Sequence, residues 1–525
     1  MWRKLRVVPL LCILFSFKPS NCGKILVVIQ FPAYTHQEVF RPIAEALSRR
    51  GHEVVFATSF PKFDKKLSNL IEIDLSENHK LVKKLQLFNE TQDDWHQVLM
   101  NHEYLLNQVS ENILAHPEIR KLYSPCSNVT FDLVIMEILN IPAPYILSYR
   151  FRAPLIGVAA IGPLAYHYYI HGLPILPSHP SNWEMLDATG VDLSFWQRLK
   201  NFIFAWRYIH YSFNRFYALQ QDIAEKYLGK DVPNIYEIEK NMRLIFHKHH
   251  SLVAPVRPTT PKFIPYANFQ SLEGSQLMDR DLKLFLDNAA EGFIYVGFGS
   301  FLRINVFPAS KQKAIYDALF ALPYKILLQC DQLANKSDNI FISSWLPQRS
   351  VLAHPNIKLF IYHGGIHSTE EAIFHGVPLL VIPVIGDQVF QAKRIVSLGI
   401  GERVRLGELT KQSLHDAAEN VINDKSYKRN VLAAKEIFRD MPKNGLKHAI
   451  WWIEYTMRTK ENNDLFHCSI SDEAWYKKFD LDIVAFLSIV LFSIIILIAC
   501  VSYKLSINLL HILKSSTNKR KEKLN

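Results

Sequence analysis

The residues best suited to chemistry lie between Trp345 and Gln388, in the run WLPQRSVLAHPNIKLFIYHGGIHSTEEAIFHGVPLLVIPVIGDQ. Leu359 to Tyr362 is a short apolar run of the kind that forms a buried parallel strand. His363-Gly364-Gly365 follows at once, before a helical stretch through Ser368, Glu371 and Ala372. A Gly-rich turn opening a helix points backbone N–H groups and the positive end of the helix dipole at one spot, which suits a diphosphate. Glycine lets the backbone approach closely, and His363 and Ser368 add side-chain donors. A second apolar strand, Leu379 to Pro383, ends in Gly386-Asp387-Gln388, an acid and an amide placed to bond vicinal sugar hydroxyls. Trp345 offers a flat face for a base and Gln348 a group to read its edge. Glu371, three positions after Ser368, shares its helix face and reaches for a ribose diol. Together they make a nucleotide-sugar clamp of two strand–turn–helix units.

A clamp needs a scaffold and a second half to hold the other reactant. Lys24 to Ile29 (KILVVI) predicts a buried strand, followed by a loop holding His36, a helix through Ile43 to Arg50, and a strand from Glu53 to Ala57. Ligand chemistry in such doubly wound sheets gathers at the carboxyl ends of strands, where a His with an unperturbed pKa near ~6.5 is suited to general-base work. Phe131 to Met136 (FDLVIM) predicts another buried strand with Glu137 at its carboxyl end; Asp132, at the opposite end, reads as structural. Leu139 to Leu147 (LNIPAPYIL) reads as the next strand, with no helix before it, although parallel neighbours need a crossover. The expectation is either a sheet locally rebuilt around Glu137 or a shortened isoform or faulty gene model, with the pairing of Glu137 to His36 in question. Leu81 to Ile119 reads as helical, and Phe151 to Tyr217 as aromatic-rich core and loops. Phe293 to Phe298 (FIYVGF), then Gly299-Ser300, opens a second doubly wound half, with further strand at Tyr324 to Gln329.

The clamp resembles, over its full length, the signature of the UDP-glycosyltransferase superfamily, in its animal membrane-bound UDP-glucuronosyltransferase branch (glycosyltransferase family 1). The resemblance implies that Trp345 stacks the uracil, Gln348 holds the uridine, and His363 and Ser368, with Gly364 and Gly365, bind the diphosphate. Glu371 would grip the ribose, and Asp387 and Gln388 would read the sugar. Ser300 matches the family's strand-then-Gly-Ser opening and joins the donor site. The catalytic base matches His36. Glu137 matches the Asp that orients it, one methylene longer. Tyr362, where the animal pattern has Thr or Ser, and Gln391, where it has Asn, are departures that bear on donor preference. The implied fold is α/β of the glycosyltransferase-B (GT-B) type, with two Rossmann-like domains facing a cleft. The implied reaction is inverting, metal-independent transfer of glucose or glucuronate from a UDP-sugar to a small lipophilic acceptor, with no cofactor. The aromatic stretch would shape the acceptor pocket near the membrane, and a late helix carrying Trp451 and Trp452 would cross back to the first domain. The alternatives are a UDP-sugar-binding homologue without turnover and a lipid-directed glycosyltransferase.

The formal charge of +11 resides largely at the ends. The last 22 residues carry +5 and the first 22 carry +4, which leaves a nearly neutral body and argues against nucleic-acid binding. Met1 to Cys22 reads as a secretory signal peptide, and Ile483 to Tyr503 as a transmembrane helix long enough for ~30 Å of hydrocarbon. The basic tail predicts a single-pass type I protein with its bulk in the lumen. Lys521 and Lys523 fit a K-x-K-x-x endoplasmic-reticulum retrieval address. Lumenal exposure would make Asn89, Asn128 and Asn335, each in an N-x-S/T sequon, glycosylation acceptors. Cys22, Cys126, Cys330 and Cys468 show neither metal spacing nor a disulfide framework. The expected organisation is thus signal peptide 1–22, acceptor-binding domain 23–269, linker 270–284, UDP-sugar-binding domain 285–460, lumenal tether 461–482, membrane helix 483–503 and cytosolic tail 504–525. Homo- and hetero-oligomers both remain open.

Overall fold

The computed structural model describes residues 22–82, 95–177, 182–185, 193–254, 256–267, 276–299, 303–331, 338–440, 444–461 and 466–522. Residues up to His467 form one compact unit built on two all-parallel sheets. The first comprises β1 (Lys24–Val28), β2 (Glu53–Thr58), β3 (Leu70–Asp74), β4 (Leu133–Glu137), β5 (Leu155–Ala159), β6 (Leu244–Lys248) and β7 (Phe263–Tyr266), in the order β3-β2-β1-β4-β5-β6-β7. The second comprises β8 (Phe293–Gly297), β9 (Lys325–Gln329), β10 (Ile340–Ser343), β11 (Ile357–Tyr362), β12 (Leu379–Val381) and β13 (Gly401–Arg403), in the order β10-β9-β8-β11-β12-β13. Strand order reverses between β1 and β4 and again between β8 and β11. Loops leaving these pairs diverge to opposite sides of each sheet and open a crevice.

Central strands covered on both faces read as continuous apolar runs rather than alternating ones. Ile25 to Val28, Leu133 to Met136 and Phe293 to Val296 are all essentially fully buried. Val39, Phe40, Ile43 and Leu47 of the helix Tyr34–Arg49 pack on β1, and Ala449, Ile450 and Ile453 of the helix Gly445–Arg458 join the same cluster. Glu454 of that late helix accepts from Arg50 Nη2 at 2.9 Å. The helix therefore crosses back, and by packing it belongs to the first sheet although it lies within 285–460.

Three local expectations need correction. Leu139 to Leu147 is not a strand: the chain after β4 passes through a 3-10 turn, Ala143–Tyr145, and a helix, Ile146–Phe151, before β5. β5 pairs in parallel with β4, Val134 opposite Leu155, so the crossover is present. Pro142 and Pro144 withhold ladder donors and favour a helix start, and the run looks strand-like because residues 139–147 are apolar and all buried but for the polar Asn140, itself buried. His36 lies in the first turn of its helix rather than in a loop, because the helix begins at Tyr34 and runs through Pro42. Inside the expected linker 270–284 a helix starts at Arg280, capped by Asp279, and packs Leu282 and Leu286 into the second core.

In the aromatic stretch Phe204 and Trp183 are core, whereas Trp196 and Phe202 project outward from the helix Phe195–Tyr211. Asn128 is exposed before β4. Cys468 to Asn525 form a second compact unit, whose helix Leu481–Glu522 contains an apolar stretch, Leu481–His511, long enough to cross a membrane. The signal peptide (but for Cys22), Asn89, Asn335, Ser300 and Lys523 lie outside the described residues, as does the side chain of Lys521.

Candidate active site

His36 and Glu137 flank the switch point of the first sheet, one after β1 and the other ending β4. Glu137 is 1% exposed and accepts hydrogen bonds from His36 Nδ1 and from the Phe31 backbone N–H, the latter at 2.9 Å. Its main chain is clamped as well. Gln30 Oε1 accepts from the Glu137 N–H at 2.7 Å, Gln30 Nε2 donates to the Glu137 carbonyl at 3.1 Å, and Tyr145 Oη donates to that carbonyl at 2.8 Å. A carboxylate only accepts, so a neutral His36 bonded to Glu137 donates from Nδ1 and keeps its lone pair on Nε2. That imidazole lines a cavity shared with the second half.

Across the cavity stand His363, Gly365, Ser368, Asp387 and Gln388. Gly364 has φ +93, and a Cβ there would meet Val381 at 2.8 Å and the Gln388 carbonyl at 3.1 Å, so glycine is required. Gly365 caps the helix Ile366–His375 without a side-chain oxygen, presenting its N-terminus to the cavity. Burial pushes the His363 pKa down to about 4, so its ring is neutral near pH 7. Its Nδ1 has no hydrogen-bond partner among the described residues.

Beside the cavity Gln348 ties several residues expected at the donor site together. Gln348 Nε2 donates to Ser368 Oγ at 3.0 Å and to Glu371 at 2.6 Å, and its Oε1 accepts from Tyr295 Oη at 3.2 Å. Tyr295, Phe360 and Tyr362 stack in a ladder across β8 and β11, with centroids 4.7 and 4.6 Å apart. Tyr362 Oη bonds Thr369 Oγ1 at 2.6 Å, so the residue that departs from the family pattern supports the helix start from below. The other departure, Gln391, donates to the Val253 carbonyl at 3.0 Å and ties the two halves together. Trp345 is 51% exposed and meets the Tyr34 ring edge-on at 5.4 Å.

At the far side of the cavity, Gln388 Oε1 accepts from the Val384 and Ile385 N–H groups, each at 2.9 Å, so its amide N–H groups are not used by these bonds. Asp387 Oδ2 is buried with no partner among the described residues. Burial raises the Asp387 pKa to about 6, against the opposing pull of His36. Of the site residues expected from the sequence, His36, His363, Gly365, Ser368, Asp387 and Gln388 line this cavity, and Gln348 and Glu371 join Ser368 in the adjoining network. Glu137 lies behind His36, Gly364 packs against Val381 and Gln388, and Trp345 stands apart against Tyr34. Gln30, Tyr34, Tyr145, Tyr295 and Thr369 were not anticipated. The one signal for Gln30 was an amide at the end of an otherwise apolar strand.

Residues 23–514 match the family described as UDP-glucoronosyl and UDP-glucosyl transferase. The chain belongs to this UDP-glycosyltransferase family. Among its relatives is UDP-glycosyltransferase UGT5 of Dactylopius coccus, 30% identical and aligned over 90% of each chain. The ecdysteroid UDP-glucosyltransferase of Spodoptera littoralis nuclear polyhedrosis virus is 27% identical over 87% of this chain and 92% of its own. Human UDP-glucuronosyltransferase 1A5 is 26% identical over 94% and 92%. The fold is similar to that of the glycosyltransferase VinC in complex with dTDP, with a TM-score of 0.56 and 15% identity over 82% of this chain and 99% of that one. It is also similar to the glycosyltransferase of kitacinnamycin, with a TM-score of 0.54 and 19% identity over 82% and 98%. This UDP-glycosyltransferase is therefore a GT-B enzyme that transfers sugar from a UDP-sugar.

Proposed function

We propose that this enzyme moves a glucosyl or glucuronosyl group from its UDP-sugar to a hydroxyl on a small lipophilic acceptor, with inversion and without a metal. The observation that carries the proposal is the His36–Glu137 pair facing His363, Ser368 and Asp387 across one largely apolar cavity. His36 Nε2 takes the acceptor proton as the oxygen attacks the anomeric carbon in line. The bond from that carbon to the diphosphate breaks, and UDP leaves with the electron pair. Glu137 stabilises the imidazolium that forms. Ser368, neutral His363 and the N-terminus of the helix Ile366–His375 receive the charge growing on the diphosphate, the task a metal performs elsewhere. Trp345 carries the uracil, Gln348 and Glu371 the uridine and its ribose, and Asp387 and Gln388 the sugar hydroxyls.

The apolar helix near the C-terminus, the basic residues after it and the Lys521/Lys523 spacing favour an endoplasmic-reticulum enzyme with its bulk in the lumen. Nothing in the first sheet favours a homologue without turnover, since a helical crossover leads from β4 to its parallel neighbour β5. The test is incubation of microsomes containing the full chain with UDP-glucose or UDP-glucuronate, in EDTA, against phenols, steroids and glycolipids. A β-linked product on a phenol or steroid is expected. An α-linked product, an EDTA-sensitive rate or transfer to glycolipid alone would contradict the proposal.

A further inference from the structure

Resting on the reaction above, a more specific acceptor can be inferred from one side chain. The first-half wall of the cavity is mostly hydrocarbon, from Phe31, Val98, Leu99, Leu106 and Leu139. Asn140 interrupts it, in the chain beyond β4, three positions after Glu137. Asn140 is 1% exposed, and its Nδ2 donates to Tyr208 Oη at 2.6 Å. Its Oδ1 has no hydrogen-bond partner among the described residues. A buried amide oxygen beside apolar walls is unfavourable until it accepts a hydrogen bond, and an acceptor made of hydrocarbon around one reactive hydroxyl offers it none.

We propose that Asn140 Oδ1 accepts a hydrogen bond from a second hydroxyl on the acceptor, so that the enzyme prefers lipophiles carrying two hydroxyls over those carrying one. One hydroxyl loses its proton to His36 and gains the sugar. The other is held by Asn140 and stays unmodified. A site built to bond a hydroxyl rejects the analogue lacking it more strongly than an apolar pocket rejects an added one. The bland alternative is that Asn140 serves only to hold Tyr208, which predicts that changes at either residue act alike.

The test compares each dihydroxynaphthalene with its monomethyl ether, which keeps the bulk and one reactive hydroxyl but cannot donate from the second position. Wild-type enzyme should show a kcat/KM ratio of about 10 to 100 in favour of the diol for at least one isomer, beyond the statistical factor of two. Asn140→Leu should collapse that ratio toward two, whereas Tyr208→Phe, which keeps Oδ1, should preserve it. Equal ratios in wild type and Asn140→Leu, or equal collapse in both variants, would overturn the assignment. If wild type transfers sugar to none of these compounds, the reaction proposed above fails instead. Equilibrium dialysis of the same pairs with UDP present then decides the Asn140 assignment by the same ratios.

Discussion

His36 Nδ1 and the Glu137 carboxylate, 101 positions apart, are hydrogen-bonded at the point where the first sheet reverses its strand order. The pairing follows from topology. β1 and β4 are neighbours in register, Val28 opposite Met136, so whatever follows β1 meets whatever ends β4. Glu137→Gln keeps the shape but removes the negative charge opposing the imidazolium and permits the wrong tautomer. It should lower kcat by about 10²- to 10⁴-fold. Glu137→Asp should retain more activity than Glu137→Gln, and steady-state kinetics at saturating donor would reveal the opposite order.

Gln30 holds Glu137 by both its N–H and its carbonyl, in effect adding one rung to the β1–β4 ladder. Gln30→Leu should lower kcat about tenfold or more with the donor KM nearly unchanged, since the donor groups lie across the cavity. Gln30→Glu can still accept from the Glu137 N–H and should fall between. A change confined to donor KM would contradict this role.

In its proposed role Asp387 would accept from sugar hydroxyls best as a carboxylate, and burial has raised its pKa to about 6. Hydroxyl donors favour the ionised form, so binding draws a proton off. The sign is therefore that donor affinity strengthens as pH rises through about 6 and weakens below it. The KM for UDP-sugar, followed from pH 5 to 8, should rise on the acid side, and Asp387→Asn should flatten the profile. A flat wild-type profile would count against Asp387 as a sugar ligand.

The late helix is held by contacts of unequal kind. Ile453 is fully buried in the first core, while the Arg50 side chain is 54% exposed. Ile453→Ala should destabilise the protein by about 2–5 kcal/mol, and Arg50→Ala by no more than about 1 kcal/mol. Thermal inactivation of the two variants would show the order, and the reverse order would mean that the ion pair, not the core contact, fastens the helix.

The donor half was legible because its chemistry is local: strand, Gly-Gly turn and helix start are contiguous from Leu359 to Glu371, so spacing alone puts the groups on one edge. The first half was legible only in pieces. Buried parallel strands announce themselves as apolar runs, but LNIPAPYIL is equally apolar as a short buried helix, and only its prolines argued otherwise. The clamp of Gln30 on Glu137, the Tyr295–Phe360–Tyr362 ladder and Tyr34 against Trp345 depend on register between distant segments. A single sequence does not encode such register visibly.

The central claim is that His36 is the base of a UDP-sugar transferase. Acceptor-dependent UDP release should be measured for wild type and His36→Ala, alongside protection of each by UDP from proteolysis. Release that falls by about 10²-fold or more in His36→Ala, with UDP protection intact, is the predicted result. Equal release from both proteins, or no release from wild type while UDP still protects it, would contradict the account.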